Sequence, residues 1–249
     1  MEILNLKHVT KSFDKKTKVL KDINLKVEKG EYVAIMGESG AGKSTLLNII
    51  ATLDKATSGD VSLNGFDLNK LKESQAAKFR RSHLGFVFQH FNLLDTLNNR
   101  DNIYLPLVLN KAKHQEMAQR IEPLAKQLEI EDLLERYPYE ISGGQAQRIA
   151  VARALITQPD LLLADEPTGA LDSQNTKRLL DLFAKVNNDG QTILMVTHSA
   201  LSASYSKRTL FIKDGLIYHE LYRGDLSQQE YMHKITEGLT ALTTEGGIN

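Results

Sequence analysis

Cysteine is absent from all 249 residues, which rules out disulfide scaffolds, cysteine nucleophiles and thiolate metal sites and permits a reducing compartment. Neither sign of charge is in excess, because 31 basic residues balance 31 acidic ones. There is thus no global basic field of the kind that gathers nucleic acid and no acidic tail, and any partner is met through shape and local patches. No uninterrupted apolar run approaches the ~20 residues that cross a bilayer. The start Met1-Glu2-Ile3-Leu4-Asn5-Leu6-Lys7 lacks the basic-then-apolar layout of a secretory signal. Internal repeats and low-complexity segments are missing too. These absences leave the expectation of a soluble, cytoplasmic chain, long enough for one large α/β domain with a well-buried core.

What is present centres on Gly37-Glu38-Ser39-Gly40-Ala41-Gly42-Lys43-Ser44-Thr45, which satisfies G-x-x-x-x-G-K-[ST] in full. The apolar run Tyr32–Met36 before it reads as a buried strand, and Thr45–Ala51 after it reads as a helix. The free N–H groups and positive dipole end of that helix would face an anion. Glycines let the backbone curl around phosphates, Lys43 reaches the β- and γ-phosphates, and the Ser44 hydroxyl is placed for Mg²⁺. A nucleoside-triphosphate site is the expectation.

Residues 2–36 alternate like strands, punctuated by Glu28-Lys29-Gly30-Glu31, and read as a small antiparallel sheet leading into the P-loop strand. Phe13, in a polar stretch between two such strands, can stack on a purine or simply pack at a sheet edge. Thr57–Gly65 reads as turn, strand, turn, and Leu71–Arg81 as a polar helix. Leu84–Phe88 is a strand delivering Gln89, whose amide can contact Mg²⁺ or an attacking water, or be mere strand-end solvation. From Phe91 to Ile156 the pattern turns helical, with an apolar piece, Ile103–Leu109, and a polar helix, Lys111–Glu129. This segment reads as an inserted helical subdomain whose apolar piece is either its small core or a docking groove.

Ser142, Gly143, Gly144 and Gln145 open a strongly helical run. They form a plain N-cap or a second anion site, one with no lysine of its own, suited to a neighbouring molecule's nucleotide. The buried strand Leu161–Ala164 ends in Asp165, placed to hold a Mg²⁺ shell. Glu166 follows, expected on the opposite side of the pleat and able to polarise water. Asp172 precedes a helix over Ser173–Val186, and the strand Thr192–Thr197 ends at His198, which can donate to the γ-phosphate. Strands around Leu210–Ile212 and Leu216–Tyr218 complete the pattern. The tail from Asp225 reads as an amphipathic helix, then a Thr/Gly-rich end, Thr243–Asn249, expected to fray.

In this order, Gly37–Ser44, Gln89, Ile141–Gln145, Leu161–Glu166, Asp172 and His198 make the chain resemble the ATP-binding subunit of ABC transporters over residues 2 to about 224. These positions are similar to that family's Walker A motif, Q-loop, signature, Walker B with its catalytic glutamate, D-loop and switch histidine, and Phe13 to its adenine-stacking aromatic. Ile141 replaces the commoner Leu of the signature, and Ser199 stands where many relatives carry Asp.

The resemblance implies an α/β fold: a RecA-like P-loop NTPase core with an antiparallel β subdomain (1–90 and 157–224), an inserted α-helical subdomain (91–156) and a C-terminal helix and tail (225–249). It also implies ATP and Mg²⁺ as cofactors and a homodimer enclosing two ATP sites. An integral-membrane permease partner and a peripheral place on the cytoplasmic face of a bacterial plasma membrane follow, with no nucleic acid bound. Within the family, Thr168–Asp172, His83–Gln89 and Asn92–Leu94 look like the branch of lipoprotein-releasing, macrolide-export and cell-division ATPases. More narrowly, Leu94–Leu97, Ile103–Leu107, Ala203–Tyr205 and Phe211–Gly215 are similar to the bacitracin-resistance type. A non-transport ABC ATPase is the contrasting reading, but such proteins usually join two cassettes or carry long coiled-coil insertions, which are absent here.

Overall fold

The computed structural model describes residues 1–14 and 17–244, with side chains to 241. Most of the Thr/Gly-rich end lies outside the described residues. In chain order the elements begin with β1 (Glu2–Ser12), β2 (Lys18–Glu28), β3 (Tyr32–Met36), α1 (Lys43–Ile50), β4 (Ser58–Leu63), β5 (Phe66–Asp67), α2 (Glu73–His83) and β6 (Leu84–Phe88). Next come α3 (Asn99–Leu109), α4 (His114–Leu128), α5 (Gly143–Leu155), β7 (Leu161–Asp165) and α6 (Ser173–Asn188). The chain then forms β8 (Thr192–Val196), α7 (Ala200–Ala203), β9 (Arg208–Lys213), β10 (Leu216–Tyr222) and α8 (Gln228–Thr244).

The short runs Tyr32–Met36, Leu161–Ala164 and Thr192–Val196 are buried at every position. Strands apolar on both faces need cover on both faces, and a parallel sheet provides it. They become the interior of a six-stranded sheet ordered β10-β9-β3-β8-β7-β6, parallel except for β10. The alternating β1 and β2 instead form a four-stranded antiparallel sheet with β4 and β5, ordered β2-β1-β4-β5. The antiparallel unit leads into β3, as the sequence pattern implies, and β3 itself belongs to the parallel sheet. Its uninterrupted burial was the distinguishing signal.

Because side chains alternate along a strand, the parallel sheet feeds two cores. Val33, Ile35, Leu163, Leu194 and Leu210 face the antiparallel sheet and α1. Ala34, Met36, Leu162, Met195 and Phe211 face a helical layer that includes Phe183 of α6, Ile149 of α5, Ile121 of α4 and Tyr231 of α8. In α3 the apolar piece divides by helix face: Ile103, Tyr104 and Leu107 are buried, Val108 and Leu109 exposed. The expected helix at Lys111–Glu129 starts only at His114, since Lys111 adopts φ 60° in the turn that closes α3. α5 lies so close to β6 that a Cβ built on Gly85 would sit 2.5 Å from the Ala154 carbonyl oxygen. Only glycine permits that approach. Among the described residues no helix is long and apolar enough to cross a membrane.

Phe183 is fully buried beneath the sheet. Phe183→Ala is expected to cost about 3–5 kcal/mol, read as a lowered denaturant midpoint with an unchanged slope.

Candidate functional site

β3 ends at Met36, and the chain turns through a glycine-rich loop into α1. Gly40 (φ 81°) and Gly42 (φ 102°) take left-handed conformations there that a side chain would resist. Gly42 is the N-cap of α1 and offers no capping side chain, so the first-turn N–H groups face the loop's concavity. The Lys43 ammonium folds over the loop and donates to the carbonyls of Gly37 and Glu38, at 2.8 Å each. Burial pushes its pKa down, opposed by the nearby carboxylates of Glu166 and Asp165. A cavity of about 500 Å³ opens here, walled by Phe13, Val19, Gly37, Ser39, Gly40, Gly42, Lys43, Ser44, Thr45, Glu166, Val196 and His198. Ala41 is buried in the wall behind. A second cavity, about 460 Å³, lies by Pro159, Asp160, Gln191 and Thr192, at the N-terminal ends of β7 and β8. Open α/β sheets bind ligands at the opposite edge, where the first cavity lies.

Glu166 departs from the expected pleat. β7 ends at Asp165, and Glu166 takes a left-handed conformation (φ 47°) with its N–H donating to the Val196 carbonyl at 2.9 Å. That bond to β8 turns the side chain toward the P-loop cavity, where Oε2 lies 2.9 Å from His198 Nδ1 and accepts from the His198 backbone N–H at 3.3 Å. The Glu166 side chain is 19% exposed and that of His198 74%, so the imidazole is the solvent-facing partner. A non-glycine residue held in this region, at the wall of a cavity, marks strain placed at a site. Asp165 is pushed up in pKa first by burial, then by the Glu166 charge, against a smaller opposing effect of Lys43.

Asp165 and the remaining expected residues do not line this cavity. Gln89 points toward Gly169: a Cβ there would meet its Nε2 at 2.7 Å. Ser142 caps α5; its Oγ accepts from the Gln145 N–H at 3.4 Å, while Gln145 Oε1 accepts from the Ser142 N–H at 2.9 Å. Asp172 caps α6, accepting from the Asn175 N–H at 2.9 Å and the Asn175 side-chain amide at 2.6 Å. These two bonds, the backbone one first, hold its carboxyl below the usual range. Asn175 also abuts Gly144, where a Cβ would lie 2.3 Å from Asn175 Oδ1. The starts of α5 and α6 are thereby locked together, exposed and off the P-loop cavity.

Sequence reasoning missed several participants. Val19 and Val196 line the cavity; both are ordinary strand valines with no motif to betray them. Lys11 lies 4.8 Å from the Phe13 ring centroid and pairs with Asp54 at 2.5 Å, seating the ring from below. Gln147 and Arg153 act only through tertiary contacts.

The family profile described as "ABC transporter" matches residues 20–169. The chain is 47% identical over 243 residues to the ABC transporter ATP-binding protein YxdL of Bacillus subtilis (strain 168), covering 96% of this chain and 94% of that one. It is 45% identical over 245 residues to the bacitracin export ATP-binding protein BceA of Halalkalibacterium halodurans, covering 96% of this chain and 97% of the relative. Among solved structures it is similar to a dimeric ATP-binding cassette in a post-hydrolysis state with ADP and Pi. That match has a TM-score of 0.79 at 40% identity, covering 88% of this chain and 98% of the other.

Lys43→Ala is expected to weaken nucleotide binding, measured by titration with a fluorescent ATP analogue. The wild-type affinity should also fall as pH rises into the alkaline range, starting below the ordinary lysine range. Phosphate would be held by the charged ammonium, and a lowered pKa loses that charge earlier; the alanine variant should lack this limb.

Proposed function

Since the chain belongs to the ABC transporter family and is its ATP-binding, ATP-hydrolysing subunit, we propose that it powers a membrane permease conferring resistance to, or export of, antimicrobial peptides of the bacitracin kind. The observation that carries the mechanistic part is a division of labour. The P-loop cavity already holds Glu166 and His198 on its wall, whereas the capped start of α5 at Ser142–Gln145 faces outward from it. A helix N-terminus with two glycines and no lysine suits the phosphates of a nucleotide held by another copy. Two chains would then meet head to tail, each ATP lying between the P-loop of one and Ser142–Gln145 of the other, with Asp172 beside the junction. Phe13 offers its exposed face to the adenine.

Ser44 and Asp165 are hard oxygen donors beside the phosphate cradle, a set that fits Mg²⁺. The cation would neutralise phosphate charge and relieve the burial and repulsion that raise the Asp165 pKa. Glu166 is the base that takes a proton from the attacking water, and His198, held against it, orients that carboxylate and faces the γ-phosphate. Gln89 completes the water's surroundings by moving in from beside Gly169. Binding energy closes the pair of chains, and the mutual repulsion of ADP and phosphate after hydrolysis opens it, so ATP biases one of two states. The helical segment 91–156 is the part that transmits this to the permease, placing the chain peripherally on the cytoplasmic membrane face. The peptide-resistance reading is supported by the near full-length similarity to a bacitracin export ATPase.

Glu166→Gln should leave ATP binding intact and slow turnover by ~10²–10⁴-fold, equivalent to ~3–5 kcal/mol of barrier. Light scattering should show this variant accumulating as an ATP-dependent dimer; wild-type turnover would remove the assignment. Deleting the gene is expected to sensitise the host to bacitracin, and unchanged sensitivity would redirect the substrate to the lipoprotein, macrolide or cell-division branch.

A further inference from the structure

Gln147 is a fully buried residue of α5 whose side chain serves no packing need that an apolar residue would not meet better. Its Nε2 donates to the carbonyl of Phe88 at 3.2 Å and to that of Pro167 at 2.8 Å. Its Oε1 is buried without a partner. An orphaned buried acceptor is destabilising, so the amide is explained by its two donor bonds. Those bonds reach informative places: Phe88 immediately precedes Gln89, and Pro167 immediately follows Glu166. The same helix grips the Gln89 segment at its far end, where the Arg153 guanidinium donates to the Phe91 carbonyl at 2.7 Å and to the Asn92 carbonyl. Phe91 and Asn92 both sit at positive φ, 50° and 51°, a conformation that needs external support.

We propose that Gln147 is a positioning residue for ATP hydrolysis. It ties α5, whose Ser142–Gln145 start receives the partner copy's nucleotide, to the two segments that place Gln89 and Glu166 on this copy's own nucleotide. The proposal rests on the roles given above to Glu166 and to the start of α5. A helix is stiff along its axis, so a displacement of the Ser142 end on engaging the other nucleotide is carried to both carbonyls at once. The side-chain amide is suited to this because its two N–H groups diverge, one to each segment. Methionine has the same length and neither donor.

The test uses the full-length protein with four variants: Glu166→Gln, Gln147→Met, Gln147→Glu and the double variant Glu166→Gln/Gln147→Met. Gln147→Met is expected to bind the fluorescent ATP analogue as the wild type does and, in the double variant, to form the ATP-dependent dimer as Glu166→Gln alone does. Its kcat per nucleotide-binding site should fall roughly 10–100-fold, the scale of a misplaced catalytic group. In Gln147→Glu the buried carboxyl favours its protonated form and retains one O–H donor. Its kcat relative to wild type should therefore exceed that of Gln147→Met and rise as pH is lowered, a dependence that a space-filling role would not produce. The tether is overturned if Gln147→Met turns over at the wild-type rate, or if its turnover falls only in proportion to lost nucleotide-binding sites. If Glu166→Gln itself hydrolyses ATP normally, the underlying site reading is the part that fails, and the tether falls with it.

Discussion

Everything at the P-loop cavity depends on the register of a parallel sheet. Phe88 pairs with Asp165, Asp165 with Val196, and Val196 with Ile35, one row across four adjacent strands. Each strand leaves the sheet just beyond that row, delivering Gln89, Glu166, His198 and the P-loop from the same edge. Parallel pairing requires every connection to cross back over a face of the sheet. Those crossovers become the helices that bury both faces, and α1 and α5 are among them. The site is thus a by-product of the ladder, and slippage by one residue would turn each of these side chains to the opposite face.

Charge around the P-loop lysine is unevenly matched. One ammonium, partly desolvated and held by two backbone carbonyls, faces two neighbouring carboxylates that also repel each other. Glu166 turns out of the strand in a left-handed conformation and meets His198 at 2.9 Å. Asp165 cannot turn, because it is the last residue of a central strand. Its carboxyl is therefore pushed up, first by burial and then by the Glu166 charge.

Much of this was legible from residue order. The glycine pattern from Gly37 to Ser44, the fully apolar strands and the Ser142 cap each rest on local rules, and the elements fall where those rules place them. Glu166 was expected on the pleat because its strand-end geometry is decided by the hydrogen bond its N–H donates to the Val196 carbonyl of β8, distant in sequence. Likewise Gln147 and Arg153 carry no pattern of their own, because their partners are carbonyls on other elements, and the approach of Asn175 to Gly144 is equally non-local. A sequence records which donors exist but not which distant acceptors they meet.

The contact between Gly85 and the Ala154 carbonyl has a consequence for inheritance. At this point two backbones touch with only a hydrogen atom between them, and β6 is the outermost strand of the sheet, laddered on one side only. A mutation there would alter nothing near ATP, yet it would wedge apart the strand and the helix that jointly carry Gln89 and Ser142. Selection on ATP turnover would therefore be felt at a residue with no chemistry, and the tolerated alphabet at position 85 shrinks to one letter.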